Sequence, residues 1–162
     1  MTTRPRSAFV LPVRVRFHEC DPLGHVNNAV YLHYLEQAAI DHAAEAGWPQ
    51  ARLETEIGAV FMAARHEIDY LRPAIAGDRL VVVTWPEHMG MATALRRYVI
   101  RRARDPEPAA GLIDRPDLDA LTAGETVVRA ATRWALVRLD TGRPVRIPPM
   151  VVDDFITEER DA

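Results

Sequence analysis

The side chains best placed to do chemistry lie between Cys20 and Glu36, in the run C-D-P-L-G-H-V-N-N-A-V-Y-L-H-Y-L-E. Asp21 stands on a tight Pro/Gly turn that opens directly into a long amphipathic segment, so an acid sits where the chain hands over to a helix. Such a junction puts free backbone N–H groups and the positive end of a helix dipole beside an ionisable side chain, which suits carboxylate chemistry. The same aspartate also suits a local role, because Asp in a turn commonly accepts backbone N–H bonds. His25 reads equally as a loop imidazole, and Asn27 and Asn28 are both good helix caps. Glu36, just over two helical turns beyond Asn28, is either a solvated flank or a buried acid.

Elimination narrows the chemistry. The only serine is Ser7, in an expected N-terminal tail, which argues against a Ser-His-Asp hydrolase. No G-x-x-x-x-G-K or G-x-G-x-x-G phosphate loop occurs. A zinc site would have to use His18, Cys20 and His25, whose spacing fits no standard ligand set. Cys20 paired with His25 is conceivable as a nucleophile. A lone cysteine near a strand end is more often packing. Asp21 remains the stronger candidate.

The elements around this turn follow from periodicity. Residues 1–10 read as a tail. Val13, Val15 and Phe17 alternate with Arg14, Arg16 and His18, predicting a strand over about 12–19. Tyr31, Leu32, Leu35, Ala38, Ala39, His42 and Ala43 recur at helical spacing as far as Gly47, predicting a helix over about 28–46. Further strands are expected over about 58–71, 79–85, 93–102 and 125–139, with the β-branched run at 79–85 in the centre of the sheet. The Arg pairs at 96–97 and 101–102 read as solvated strand edge. Residues 105–124 hold three prolines, four aspartates and two glycines and read as an inserted loop with one short helical turn. Residues 147–150 look like an extended exit, and the last ten residues a short helix. One long helix followed by strands joined through turns gives an α+β domain with an antiparallel sheet of about five strands.

Composition bounds the rest. The 162 residues fit a single domain, with 48% hydrophobic and 27% charged content. All 20 basic residues are arginine, and the net charge of −3 argues against a protein that coats nucleic acid. The N-terminal apolar run is too short for a signal peptide, and no stretch approaches the length of a membrane span. With a single cysteine, the chain is expected to be cytoplasmic.

The run from Asp21 to Glu36 resembles the signature of hotdog-fold acyl-CoA thioesterases, of the 4-hydroxybenzoyl-CoA and long-chain acyl-CoA branch, with acyl-ACP thioesterases as relatives. The matching positions are Asp21, Gly24, His25, Val26, Asn27, Asn28, Tyr31 and Glu36. Weaker echoes are Ile68, Tyr70 and Pro73 with Gly77-Asp78, and the terminal G-R-P-V-R-I-P-P. The resemblance implies a hotdog fold, in which a curved antiparallel sheet wraps a long helix. It also implies a homodimer, with tetramers possible, that pairs sheets edge to edge and carries active sites at the interface. It implies Asp21, Gly24, His25 and Asn27 as catalytic residues, with Asp21 as nucleophile or general base. Backbone N–H groups between Gly24 and Asn28, or from the partner, would hold the oxyanion. Val26, Asn28, Tyr31, Glu36, Phe61 and Thr93 would contact substrate, Phe61 with Tyr31 and Tyr34 along an acyl pocket and Thr93 near the coenzyme A arm. Relatives often carry a basic residue after Gly90, where this chain has Met91-Ala92-Thr93. No metal and no cofactor beyond substrate coenzyme A is expected. The other functions the resemblance allows are hydrolysis of acyl groups on acyl carrier protein, and non-catalytic acyl binding. The insertion at 105–124 is expected to cap the substrate channel or add an oligomer contact.

Overall fold

In the computed structural model, residues 2–159 are described, with side chains described over residues 4–156. The chain begins with β1 (Thr2–Pro5) and β2 (Ser7–Arg14), makes a 3₁₀ turn at Phe17–Glu19, and enters α1 (Asn28–Glu45). A short α2 (Gln50–Arg52) runs into a π turn at Leu53–Ile57. Then come β3 (Ala59–Tyr70), β4 (Arg79–Met89), β5 (Thr93–Arg102), β6 (Gly111–Asp114), α3 (Leu118–Thr122) and β7 (Thr126–Arg138). α4 (Pro149–Phe155) and β8 (Ile156–Glu159) close the described chain.

Six strands form one antiparallel sheet in the order β3-β7-β5-β4-β2-β6, and β1 pairs with β8 beside it. β4 lies inside the sheet because its sequence leaves it no wet face. Leu80 and Val82 pack toward α1, while Val81 and Val83 pack with Val10 on the opposite face. α1 buries Tyr31, Tyr34, Leu35, Ala38, Ala39 and His42, a stripe at i, i+3, i+4, i+7, i+8 and i+11 that lies along the sheet. The Asn27 side chain caps the helix by accepting from the Ala29 amide at 2.9 Å. Gly47, at φ +92°, ends it and lets the Trp48 amide reach back to the Ala43 carbonyl. The expected α+β hotdog architecture is therefore present.

Five expectations need correction. Residues 2–10 are not a tail (Met1 lies outside the described residues): Ser7–Val10 form a buried strand. That strand is covered on both sides, so it shows none of the alternation that marks a half-buried one. The first strand ends at Arg14 instead of running over 12–19, and Phe17 is 87% exposed. The insertion carries the expected short helical turn, α3, which sets Leu121 against the outer apolar cluster, but it also holds a strand: β6 extends the sheet beyond β2, making six strands. Residues 149–155 are helical, begun by Pro149, whose fixed φ and missing N–H suit a first helical position. The final-helix expectation ends in β8, and residues 160–162 lie outside the described residues.

Candidate active site

Asp21 holds its own turn. Its Oδ1 accepts hydrogen bonds from the amides of Leu23 (2.9 Å) and His25 (3.3 Å), while its backbone exchanges bonds with Gly24 and His25. Gly24 sits at φ +78° in open space, so it is backbone conformation and not crowding that calls for glycine. The carboxylate is partly exposed, and among the described residues no hydrogen bond reaches Oδ2. The local role and a chemical one are thus compatible, one oxygen serving each.

The turn is anchored from below by the segment carrying Pro73 and Gly77-Asp78. The Val26 amide donates to the Ala74 carbonyl at 2.8 Å, and His25 bridges Ile75. Asp78 Oδ2 fixes that segment by accepting from the Ile75 amide (2.9 Å) and Arg102 (2.6 Å). Burial works to raise the Asp78 pKa, but the Ile75 amide and Arg102 together hold it below the ordinary carboxylate value. The Tyr70 hydroxyl donates to the Asn28 carbonyl at 3.0 Å, tying β3 to the helix start. Upstream, the Tyr34 hydroxyl donates to Glu19 at 2.7 Å; burial, reinforced by that carboxylate, pushes the phenol pKa up.

Most amides at the head of α1 are already engaged. Gly24 donates to Asp21, Val26 to Ala74, Asn27 to Glu19, Ala29 to the Asn27 side chain and Val30 to the Asn27 carbonyl. No described hydrogen bond engages the Asn28 amide in that first turn. Val26 and Tyr31 lie in the core, each 3% exposed, so both support the turn from inside. Glu36 is exposed on α1, and Thr93 stands at the β4–β5 turn, where its carbonyl accepts from Gly90.

Phe61 lies elsewhere. With Ala39, Ile40, Trp48, Leu95 and Trp134 it lines an apolar cavity of about 130 Å³ between the C-terminal half of α1 and the sheet. From Asn28 to Ile40 the helix rises about 18 Å. Within one protomer the structure therefore gathers Asp21, Gly24, His25, Asn27 and Asn28, and keeps Phe61 and Thr93 apart from them.

A second polar cluster is buried at that far end. Arg96 Nη1 donates to His42 Nδ1 (2.7 Å) and to Thr84 Oγ1 (3.3 Å), and His42 Nε2 lies 2.9 Å from Ser7 Oγ. A guanidinium has only donors, so Nδ1 must be the acceptor and Nε2 must carry the ring proton toward Ser7. The pair is thus no nucleophile and base, despite its spacing. Burial, aided by Arg96, pushes the His42 pKa down to about 2, so the ring is neutral. Ser7 is 3% exposed and Arg96 and Arg101 8% each, which corrects the reading of a tail and of solvated arginine pairs. Arg96 sits on the same sheet face as Tyr98 and Ile100, an inward alternation that could have revealed it. Among the described residues, no three His, Cys, Asp or Glu side chains converge as a metal site, and no helix is long and apolar enough to cross a membrane.

Comparison with known proteins matches residues 15–155 to the family described as the thioesterase-like superfamily. The chain is 33% identical over 89 residues to an acyl-CoA thioesterase, YbgC, of Haemophilus influenzae. That alignment covers 55% of this chain and 65% of the relative. A thioesterase from Thermus thermophilus, solved with coenzyme A and zinc, is 30% identical with a TM-score of 0.65 and 90% of each chain covered. A 4-hydroxybenzoyl CoA thioesterase mutant, solved with 4-hydroxybenzoyl CoA, has the same fold at 18% identity, with a TM-score of 0.74 over 92% of this chain and 98% of that one.

Proposed function

This chain belongs to the thioesterase-like superfamily, and from that premise we propose that it hydrolyses acyl-CoA thioesters to the free acid and coenzyme A. The observation that carries this reading is the Asp21 carboxylate, fixed through Oδ1 at the head of α1 and open at Oδ2. A thioester needs little more. Its carbonyl is electrophilic, and an alkyl thiol of pKa about 8.5 leaves readily without strong acid help. Asp21 Oδ2 either attacks the carbonyl, expelling the thiolate and leaving a mixed anhydride that water cleaves, or takes a proton from the attacking water. The unengaged Asn28 amide, at the positive end of the α1 dipole, is the local donor for the oxyanion. Gly24 and Asn27 then act through the turn and the cap, and His25 through its amide on Asp21.

The site is completed by a second copy. β3 is an edge strand of 12 residues with Met62 and Tyr70 about half exposed, a surface that calls for a partner. Antiparallel pairing of β3 with its symmetry mate about the strand midpoint, near Ala64–Arg65, sets the Tyr70 end of one protomer against the Phe61 end of the other. Tyr70 is bonded to Asn28, and Phe61 lines the apolar cavity. The head of α1 on one protomer thereby approaches the cavity of its partner, joining the acid to an acyl pocket. The single free cysteine suits the cytoplasm for such a dimer.

The test is thiol release from short, long and aromatic acyl-CoA esters by wild type and Asp21→Asn. The variant should lose at least ~10²-fold in kcat/KM, about 2.7 kcal/mol of transition-state stabilisation. Turnover that survives the substitution would sink the assignment and make Glu36 the next residue to test. Absence of turnover on every ester would shift the reading to carrier-protein substrates or to acyl binding alone.

A further inference from the structure

The arginines of β5 differ in one respect. Arg97 is paired with Glu87 and Arg102 with Asp78, whereas Arg101 donates to the carbonyl of Leu121. Arg96 is 8% exposed, yet no carboxylate lies among its described partners, which are a neutral imidazole and a hydroxyl. Both bonds come from Nη1, leaving the N–H groups of Nε and Nη2 without a described acceptor. A cation in that state is costly to bury, and desolvation lowers the Arg96 pKa. Arg96 lines the apolar cavity. So does Trp134, whose buried indole N–H lies beside the Tyr98 hydroxyl, a weakly placed partner that leaves both groups short of a well-formed hydrogen bond. Arg96 thus brings charged N–H groups without a described acceptor to the wall of a chamber whose lining, Gln50 and Trp134 apart, is apolar.

We propose that this cavity is an acyl pocket selective for acyl groups that end in a carboxylate, with Arg96 binding that carboxylate and the Trp134 N–H assisting. The proposal rests on the thioesterase reading for its reaction and on the cavity alone for its ligand. Size sets the acyl class: an apolar cavity of about 150 Å³ is known to hold benzene. A chamber of about 130 Å³ therefore accommodates a chain of several carbons or one ring. The walls cover the methylenes, and the guanidinium gains the anion it lacks, in a charge-assisted bond strengthened by burial. Arg96 is a specificity residue here, distant in its own protomer from the acid at Asp21.

The deciding experiment compares kcat/KM for glutaryl-CoA and adipoyl-CoA with valeryl-CoA and hexanoyl-CoA. It uses the full chain, with wild type, Arg96→Met and Trp134→Phe in parallel, and titration calorimetry of free adipate and hexanoate beside the kinetics. Wild type should prefer the carboxylate-ended esters by about 10- to 100-fold, the worth of a charge-assisted hydrogen bond. Arg96→Met should invert that preference and abolish adipate binding, whereas a merely structural role would slow all four esters alike. Trp134→Phe, which keeps the ring and loses the donor, should reduce the preference and decides the matter if Arg96→Met does not fold. Equal turnover of both ester classes, or a ratio untouched by the variants, would overturn the proposal and leave the thioesterase reading intact. Arg96-dependent adipate binding without hydrolysis of any ester would overturn the thioesterase reading and keep the pocket. Neither turnover nor binding would remove both.

Discussion

At the head of α1 a carboxylate stands partly in water with one oxygen held by two amides. At the far end of the same helix a guanidinium is buried against an imidazole with no described anion beside it. The first arrangement is inexpensive to fold. Leu23 and His25 amides would need acceptors in any case, and Asp21 supplies them from within four residues. The second must be held in place by the core. It joins β2, α1, β4 and β5 through Ser7, His42, Thr84 and Arg96, so every member depends on long-range packing. The difference matches the two tasks proposed for them: a reacting acid would need an exposed lone pair, and discrimination would need donors already stripped of water.

The largest effect that would sharpen this contrast is on stability at the buried end. His42→Ala leaves Ser7 Oγ and Arg96 Nη1 without their partner at a position with 0% exposure, and opens a hole between Phe9 and Phe155. Truncation there should cost about 3–5 kcal/mol, measured by equilibrium urea unfolding. Asp21→Asn should show the reverse profile. Its amide oxygen still accepts from Leu23 and His25, so stability should stay within about 0.5 kcal/mol of wild type while thiol release collapses. If the two variants lost stability alike, the division between an exposed reactive end and a buried structural end would fail.

Mild acid should act on the buried end. The His42 pKa is lowered to about 2 in the folded chain by burial and by Arg96, against 6.5 for a free imidazole. Between those values the unfolded chain binds a proton that the folded chain refuses. Stability from this residue is therefore complete above pH 6.5 and falls as the pH drops, by about 1.4 kcal/mol for each unit. Near pH 5 that is about 2 kcal/mol. Urea midpoints taken from pH 7 to pH 5 should decline, and His42→Asn, which cannot titrate there, should flatten the slope. An unchanged slope in that variant would move the acid sensitivity to other groups.

The two ends were unequally legible in the sequence, for the same reason that they differ in cost. The Asp21 turn is written in consecutive residues. Proline, glycine, the Asn27 cap and the apolar stripe from Tyr31 to His42 each act on near neighbours, so local rules recover them. The buried cluster is written in residues 7, 42, 84 and 96, and no local rule joins them. Ser7 looked like tail because β2 is covered on both faces and shows no alternation. Arg96 looked solvated because Arg97 beside it is paired on the outer face with Glu87, while Arg96 itself points inward. In the insertion the helical turn was legible, since Asp117 caps α3 locally, but β6 forms only because β2 offers it an edge to meet.

The smallest effect separates capping from chemistry at Asn27. Its side chain accepts from the Ala29 amide, so Asn27→Ala should destabilise by about 1 kcal/mol, the ordinary worth of an N-cap. Asn27→Asp restores the acceptor and adds a negative charge at the positive end of α1, so it should be at least as stable as wild type. Activity then discriminates. If Asn27 serves only to start the helix, the Asp variant keeps turnover apart from the modest effect of a second anion near Asp21. If the Asn27 amide nitrogen positions the carboxylate or water, the Asp variant loses that donor and turnover falls despite a sound helix. A stable, slow Asn27→Asp enzyme would extend the reacting end beyond Asp21 itself, and a stable, fast one would confine it there.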